Sequence, residues 1–182
     1  MLMSRTLKVV LVILASLAAL FVVCIVVAAF VLPGKLRAGT QDAARKIADF
    51  TVPAGLTMTF GFSLGPMSEV TLTSTDPAKP LVILLVGFNG PRTGSNDNAF
   101  GASFMRSQAQ RCTQIAQLPD ELIKVNDTID LFHRVVCTTA GSKQIMEFGE
   151  FAGRSSVSML TATGPAQTWD PLPIRELLNS VH

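Results

Sequence analysis

Few residues in this chain have the types and spacing that chemistry requires. His133 sits in the alternating segment DLFHRVV and is the only histidine before the C-terminal His182. A Ser-His-Asp triad or a zinc site gathers several such groups, and a single internal imidazole gives either one little to build on. Gly141-Ser142-Lys143 and Gly153-Arg154-Ser155-Ser156 place serines beside glycine, but neither forms the G-x-S-x-G elbow that exposes a nucleophile on a strand-to-helix turn. Asn89-Gly90-Pro91-Arg92 and Gly94-Ser95-Asn96 have the polarity of a phosphate loop without the G-x-x-x-x-G-K-[ST] spacing. Cys112 and Cys137 could pair in an oxidising compartment, and the alternative is two buried thiols. Asn126-Asp127-Thr128 matches a glycosylation sequon, a triplet that also arises often by chance. Trp169, the single tryptophan, is expected as a core or helix-staple residue. The sequence therefore assigns no catalytic residue, no cofactor-binding residue and no metal ligand, and implies no cofactor.

Charge narrows the partners. Of 15 basic residues only Arg5 and Lys8 precede Pro33, so that beyond it the basic residues balance the 13 acidic ones. A nucleic-acid binder needs a basic stripe to neutralise phosphates, and this part of the chain supplies none. Hydropathy is equally uneven. From Val9 to Leu32 the row VVLVILASLAALFVVCIVVAAFVL carries no charge, Gly or Pro. A helix of about 24 residues extends about 36 Å, enough to cross a hydrocarbon core of about 30 Å. The expected layout is a short basic tail (1–8), a transmembrane helix (9–32), a stem with a short helix (33–49) and a soluble α+β domain (50–182). The run is longer than the hydrophobic region of a typical cleaved signal peptide, and Val23 stands where a lipoprotein signal ending at Cys24 would need a small residue. Lys35, Arg37, Arg45 and Lys46 nearly balance the basic N-terminus, so the positive-inside count leaves orientation close to a tie. The short basic start ahead of a long apolar run favours a single-pass signal-anchor with its tail in the cytoplasm and the domain outside.

The elements of the domain follow from periodicity. Thr40 is the expected N-cap of the stem helix, with Ala44, Ile47 and Ala48 on one face. Thr57–Phe62 and Ser68–Ser74 alternate and read as a hairpin, and Pro80–Phe88, apolar on both faces, reads as a central strand. Asn89–Ser103 reads as a long polar loop. Phe104, Met105, Gln108, Cys112, Ile115 and Ala116 follow helical spacing until Pro119. Four strands are expected next, at Leu122–Val125, Ile129–Thr138, Lys143–Phe151 and Ser155–Thr163. Asp170-Pro171 opens a last helix with Leu172, Ile174, Leu177, Leu178 and Val181 as its apolar stripe, opposite Arg175, Glu176 and Asn179. The sum is a mainly antiparallel sheet packed with helices.

This order, together with Val52-Pro53-Ala54-Gly55 leading into a strand and Trp169-Asp170 ahead of an amphipathic terminal helix, resembles the Mog1/PsbP-like α/β sandwich over about Ile47 to Val181. Within that group it is most similar to small bacterial membrane-anchored members. Leu56 departs from the pattern, which commonly has an aromatic residue after the Pro-x-Gly turn. The resemblance implies a domain that docks to other proteins or assists an assembly, with no shared catalytic apparatus.

The leading expectation is a non-enzymatic interaction or assembly-accessory domain tethered to the bilayer, with an unidentified protein partner. Its contact surface is expected on the loop that carries Asn89, Arg92, Asn96, Asp97 and Asn98. An alternative is a carrier or sensor holding an apolar ligand between sheet and helix, near Met58, Phe60, Met146, Phe148 and Met159. A further alternative is an envelope hydrolase.

Overall fold

A computed structural model describes residues 39–90, 112, 114–139 and 141–182. The apolar run at 9–32, the loop residues Arg92, Asn96, Asp97 and Asn98, and the start of the helix expected from Phe104 lie outside the described residues. Among the described residues no helix is long and apolar enough to cross a membrane.

Seven strands form one antiparallel sheet: β1 (Leu56–Leu64), β2 (Met67–Ser74), β3 (Val82–Phe88), β4 (Gln114–Val125), β5 (Thr128–Thr139), β6 (Ser142–Phe151) and β7 (Val157–Pro165). Their order is β1-β2-β3-β7-β6-β5-β4, so two meanders meet where β3 pairs with β7. This is the α+β, sheet-dominated class expected from the periodicity. β3 lies inside the sheet, flanked by β2 and β7, as its two-sided apolar pattern requires. Two helices are described, α1 over 39–47 and α2 (Leu172–Asn179).

Both helices serve one face of the sheet. Ala43, Ala44, Ile47 and Ala48 of α1 and its exit, and Ile174, Leu177, Leu178 and Val181 of α2 and its exit, join Val70, Leu72, Ile83, Leu85 and Leu160 in the buried core. Close approach needs glycine at Gly87, where an added Cβ would fall 2.9 Å from Ile47 Cγ1 and 2.3 Å from Ser155 Oγ. The end of α2 is tied back to the segment after α1. The Thr51 N–H donates to Ser180 Oγ at 3.0 Å, Ser180 Oγ donates to the Thr51 carbonyl at 3.1 Å, and the His182 N–H donates to the Asp49 carbonyl.

Three expectations are corrected. Gly39 and Thr40 are already helical, so Thr40 is not the N-cap; it is buried, its Cα close against Gly61 of β1. Leu172 is 56% exposed, which confines the buried stripe of α2 to Ile174, Leu177, Leu178 and Val181. The largest correction concerns Ile115 and Ala116, which belong to β4 and not to a helix ending at Pro119. β4 is an edge strand, and its register shifts between Leu118 and Glu121, where Pro119 sits. A residue without an N–H is tolerated at an edge bulge, so this proline interrupts pairing without ending the strand.

Candidate functional site: a buried acid within an ionic cluster

The most distinctive chemistry lies beneath α2, where β4, β5 and β6 meet. Glu147 of β6 is 0% exposed, and neither carboxylate oxygen has a hydrogen-bond partner. Strand alternation puts it there: Glu147 stands opposite Ala162 of β7 and Arg134 of β5, in the layer that holds the core leucines and isoleucines. Glu121, half-buried on β4, is held between two guanidinium groups. Arg134 Nη1 lies 3.4 Å from Glu121 Oε2, and Arg175 of α2 pairs with Glu121 Oε1. Arg134 also donates through Nε and Nη2 to the Pro119 carbonyl, at 3.1 and 3.0 Å. The bulge at Pro119 thus does local work, because its carbonyl has left the ladder and accepts from the cluster.

Burial is the main reason that the Glu147 carboxyl is pushed up to about 7. The neighbouring Glu121 carboxylate adds to the rise, while Arg134 and Arg175 oppose it. Below that value Glu147 is a neutral acid inside the core. Above it the group becomes a second carboxylate competing for two cations already engaged by Glu121. Chemically, the arrangement can hold or release one proton and couple that event to the ion pair joining α2 to the sheet.

Other residues singled out in the sequence sit elsewhere. Cys112 and Cys137 form a disulfide with Cα atoms 5.3 Å apart, fastening the chain just before β4 to β5. His133 is on the sheet face opposite α2, with Nδ1 3.1 Å from Asp120 Oδ1 and its ring centroid 5.3 Å from that of Phe148. Ser155 and Ser158 donate their hydroxyls to the carbonyls of Lys46 and Ile47, which anchors the end of α1. Arg154 pairs with Asp49. Asn89 accepts a hydrogen bond from the Ser156 N–H through Oδ1, linking the end of β3 to the β6–β7 connection. Of the residues considered for an apolar ligand, Met58 packs against the core beneath the helices, whereas Phe60, Met146, Phe148 and Met159 point to the opposite face. The sheet itself therefore separates them. Among the described residues no group of three or more His, Cys, Asp and Glu side chains could hold a metal ion.

Sequence reasoning missed the Glu147 cluster. Its one available signal was the strand KQIMEFGEF, in which Glu147 shares a face with Ile145, Gly149 and Phe151. The partners come from three other elements, and only the register brings them together.

The chain matches no protein-family model, and no curated protein is significantly similar to it.

Proposed function

We propose that this chain is a bilayer-tethered, non-enzymatic binding module of the Mog1/PsbP-like sandwich type. Residues 9–32 form its membrane span, and its domain lies outside the cytoplasm and docks a protein partner. One observation carries the docking reading. Phe60, Leu64, Val82 and Phe88 on one flank, and Ile115, Leu122, Ile129 and Leu131 on the other, are large exposed apolar side chains, and all lie on the sheet face away from α1 and α2. Scattered single apolar residues are ordinary on a surface, whereas these form two exposed groups at the flanks of a face whose middle is buried at Val86, Met146 and Met159, and it is those flanks that carry the reading. The Cys112–Cys137 bond supports the placement, since disulfides persist in oxidising compartments. The polar segment that begins at Asn89 follows Phe88 directly in the sequence, and we include it in the proposed contact surface.

The test is photo-crosslinking from the full chain in its native membrane. A photoreactive residue at Leu122 or Leu64 is expected to give a discrete protein adduct, whereas one at Glu176, exposed on α2, gives none. Equal adducts at all three positions, or none at any, would overturn the docking face. Alkaline extraction tests the tether separately, because release of the chain into the supernatant contradicts a membrane span. Protease added to spheroplasts is expected to digest the domain, and full protection contradicts the orientation.

A further inference from the structure

The sheet ends in two edge strands, β1 and β4, and they are not alike. On β1, Gly61 is buried, with Thr40 of α1 close against it. β4 is split by the bulge at Pro119 into two halves. Asp120, Glu121 and Lys124 lie in the second half, and charge, proline and a bulge are the devices that keep a foreign strand off an edge. Residues 114–118, reading QIAQL, have none of these. Gln114, Ile115, Ala116 and Gln117 are exposed and Leu118 is half-buried.

Strand alternation fixes which backbone groups of this half are free. Val125 and Thr128 flank the two-residue turn Asn126-Asp127 and form a hydrogen-bonded pair, so the even-numbered residues of β5 bond to β4. Thr138, Val136 and Arg134 therefore engage Gln114, Ala116 and Leu118. The N–H and C=O groups of Ile115 and Gln117 point out of the sheet, and among the described residues no bond outside the ladder reaches them.

We propose that residues 114–118 pair antiparallel with the same residues of a second copy of this chain, about a two-fold axis at Ala116. In that register Ile115 exchanges N–H and C=O bonds with Gln117 of the second copy, and Gln117 with Ile115. Ala116 stands opposite itself, Gln114 opposite Leu118, and Pro119 bounds the pairing at either end. The occupant follows from self-complementarity, since a two-fold interface requires one patch to match itself. The stretch carries no charge, so no like charges meet, and the small Ala116 sits on the axis. Such an axis stands perpendicular to the sheet. Both copies then keep their helices on one side and their exposed Leu122 and Leu131 on the other, which doubles that apolar flank. The pairing uses backbone groups of the edge and does not depend on the docking reading.

The test uses two differently tagged forms of the full chain, co-expressed and extracted in mild detergent. Capture of one tag is expected to recover the other. Ala116 is exposed, so a charge there leaves the fold of each copy intact. Ala116→Glu sets two carboxylates face to face and is expected to lower recovery at least ten-fold, as is Ala116→Lys. Ala116→Glu on one tag with Ala116→Lys on the other is expected to restore it. Equal recovery from all combinations, or none from any, overturns the proposal. The register is read from Ala116→Cys in a Cys24→Ser background, where Cys112 and Cys137 are bonded to each other and the new thiol is the only free one. Directly opposed residues of a non-hydrogen-bonded pair have Cα atoms about 4.5 Å apart, which a disulfide can span. Oxidation is expected to give a covalent dimer, whereas Leu122→Cys, beyond the paired stretch, gives none. No dimer at Ala116→Cys, or as much at Leu122→Cys, overturns the register. An adduct of Ala116→Cys with a different protein gives the edge to an outside strand and overturns the second copy.

Discussion

One cross-strand row passes through two chemical regimes. Leu72 of β2 stands opposite Ile83 of β3, Ile83 opposite Ala162 of β7, Ala162 opposite Glu147 of β6, and Glu147 opposite Arg134 of β5. The first three are buried aliphatic residues beneath the helices, while the last two are ionisable groups in the same layer. The aliphatic half gains stability from burial alone, which depends little on pH. The ionic half sets the cost of desolvating Glu147 against attraction to two arginines, and that balance shifts with protonation. The row therefore separates what holds the fold from what conditions it.

The largest expected effect comes from breaking the aliphatic half. Ile83 is fully buried between β2 and β7, and Ile83→Ala removes packed methyl and methylene groups that the rigid sheet cannot replace. Large-to-small changes at such sites cost roughly 2–5 kcal/mol. Denaturant midpoints are expected to drop accordingly, by the same amount at pH 5 and pH 8. A drop that varies strongly with pH would mean that the two halves are not separable.

Glu147→Gln sharpens the contrast from the other side. The folded state holds the Glu147 proton up to about 7, against a reference value of 4.5, so folding takes up a proton between those two values. The stability contributed by this group is complete below about pH 4.5 and is lost as pH rises through 7. A shift of that size corresponds to roughly 3 kcal/mol, about 1.4 kcal/mol per pH unit over the interval. Relative to the parent chain, the glutamine variant is expected to gain stability steadily from pH 4.5 to 7 and then level off. Denaturation curves across that range measure the difference. A constant offset at every pH would show that Glu147 does not titrate within the fold.

How much of this was legible in the sequence depends on how local the signal was. The hairpin of β1 and β2, the interior strand β3 and the buried stripe at Ile174, Leu177 and Leu178 announce themselves by period alone. β4 did not. Cys112, Ile115 and Ala116 happen to fit a helical spacing, and Pro119 looks like a stop until its edge position is known. Glu147 failed for a different reason. In an alternating strand a glutamate reads as solvent-facing, and only the pairing of β6 with β5 and β7 shows that its face is the covered one. The apolar face was hidden in a similar way, since Leu122 and Leu131 are neighbours only across the β4–β5 pair.

A smaller effect is expected at the link between α2 and the cluster. Arg175 is half-exposed, so its pair with Glu121 is screened, and Arg175→Ala is expected to cost about 1 kcal/mol or less. The more telling readout is the titration of Glu147. Arg175 holds that group down, so its removal is expected to move the inflection in stability above pH 7. Glu121 remains beside Glu147 and keeps Arg134, which limits the loss. An inflection moving to lower pH would contradict this electrostatic ordering.

The smallest stability effect is expected where the docking reading is most exposed to failure. Leu122 and Ile129 are each 69% exposed, and Leu122 faces Leu131 across the β4–β5 pair at an exposed flank of the sheet face away from α1 and α2. A side chain already in water loses little when shortened or made polar, so Leu122→Gln is expected to change stability by less than about 0.5 kcal/mol. The contrast with Ile83→Ala is the point, because both are apolar strand residues of one sheet and differ in burial, Ile83 being fully buried in the core and Leu122 exposed at the flank of the other face. If Leu122→Gln instead costs about 2 kcal/mol or more in the isolated chain, that face is consumed by folding and no apolar surface is left for a partner. If stability is unchanged while the crosslink placed at Leu64 is lost, the exposed flanks of that face serve something outside the chain, and the buried core and the exposed flanks of the sheet have separate roles.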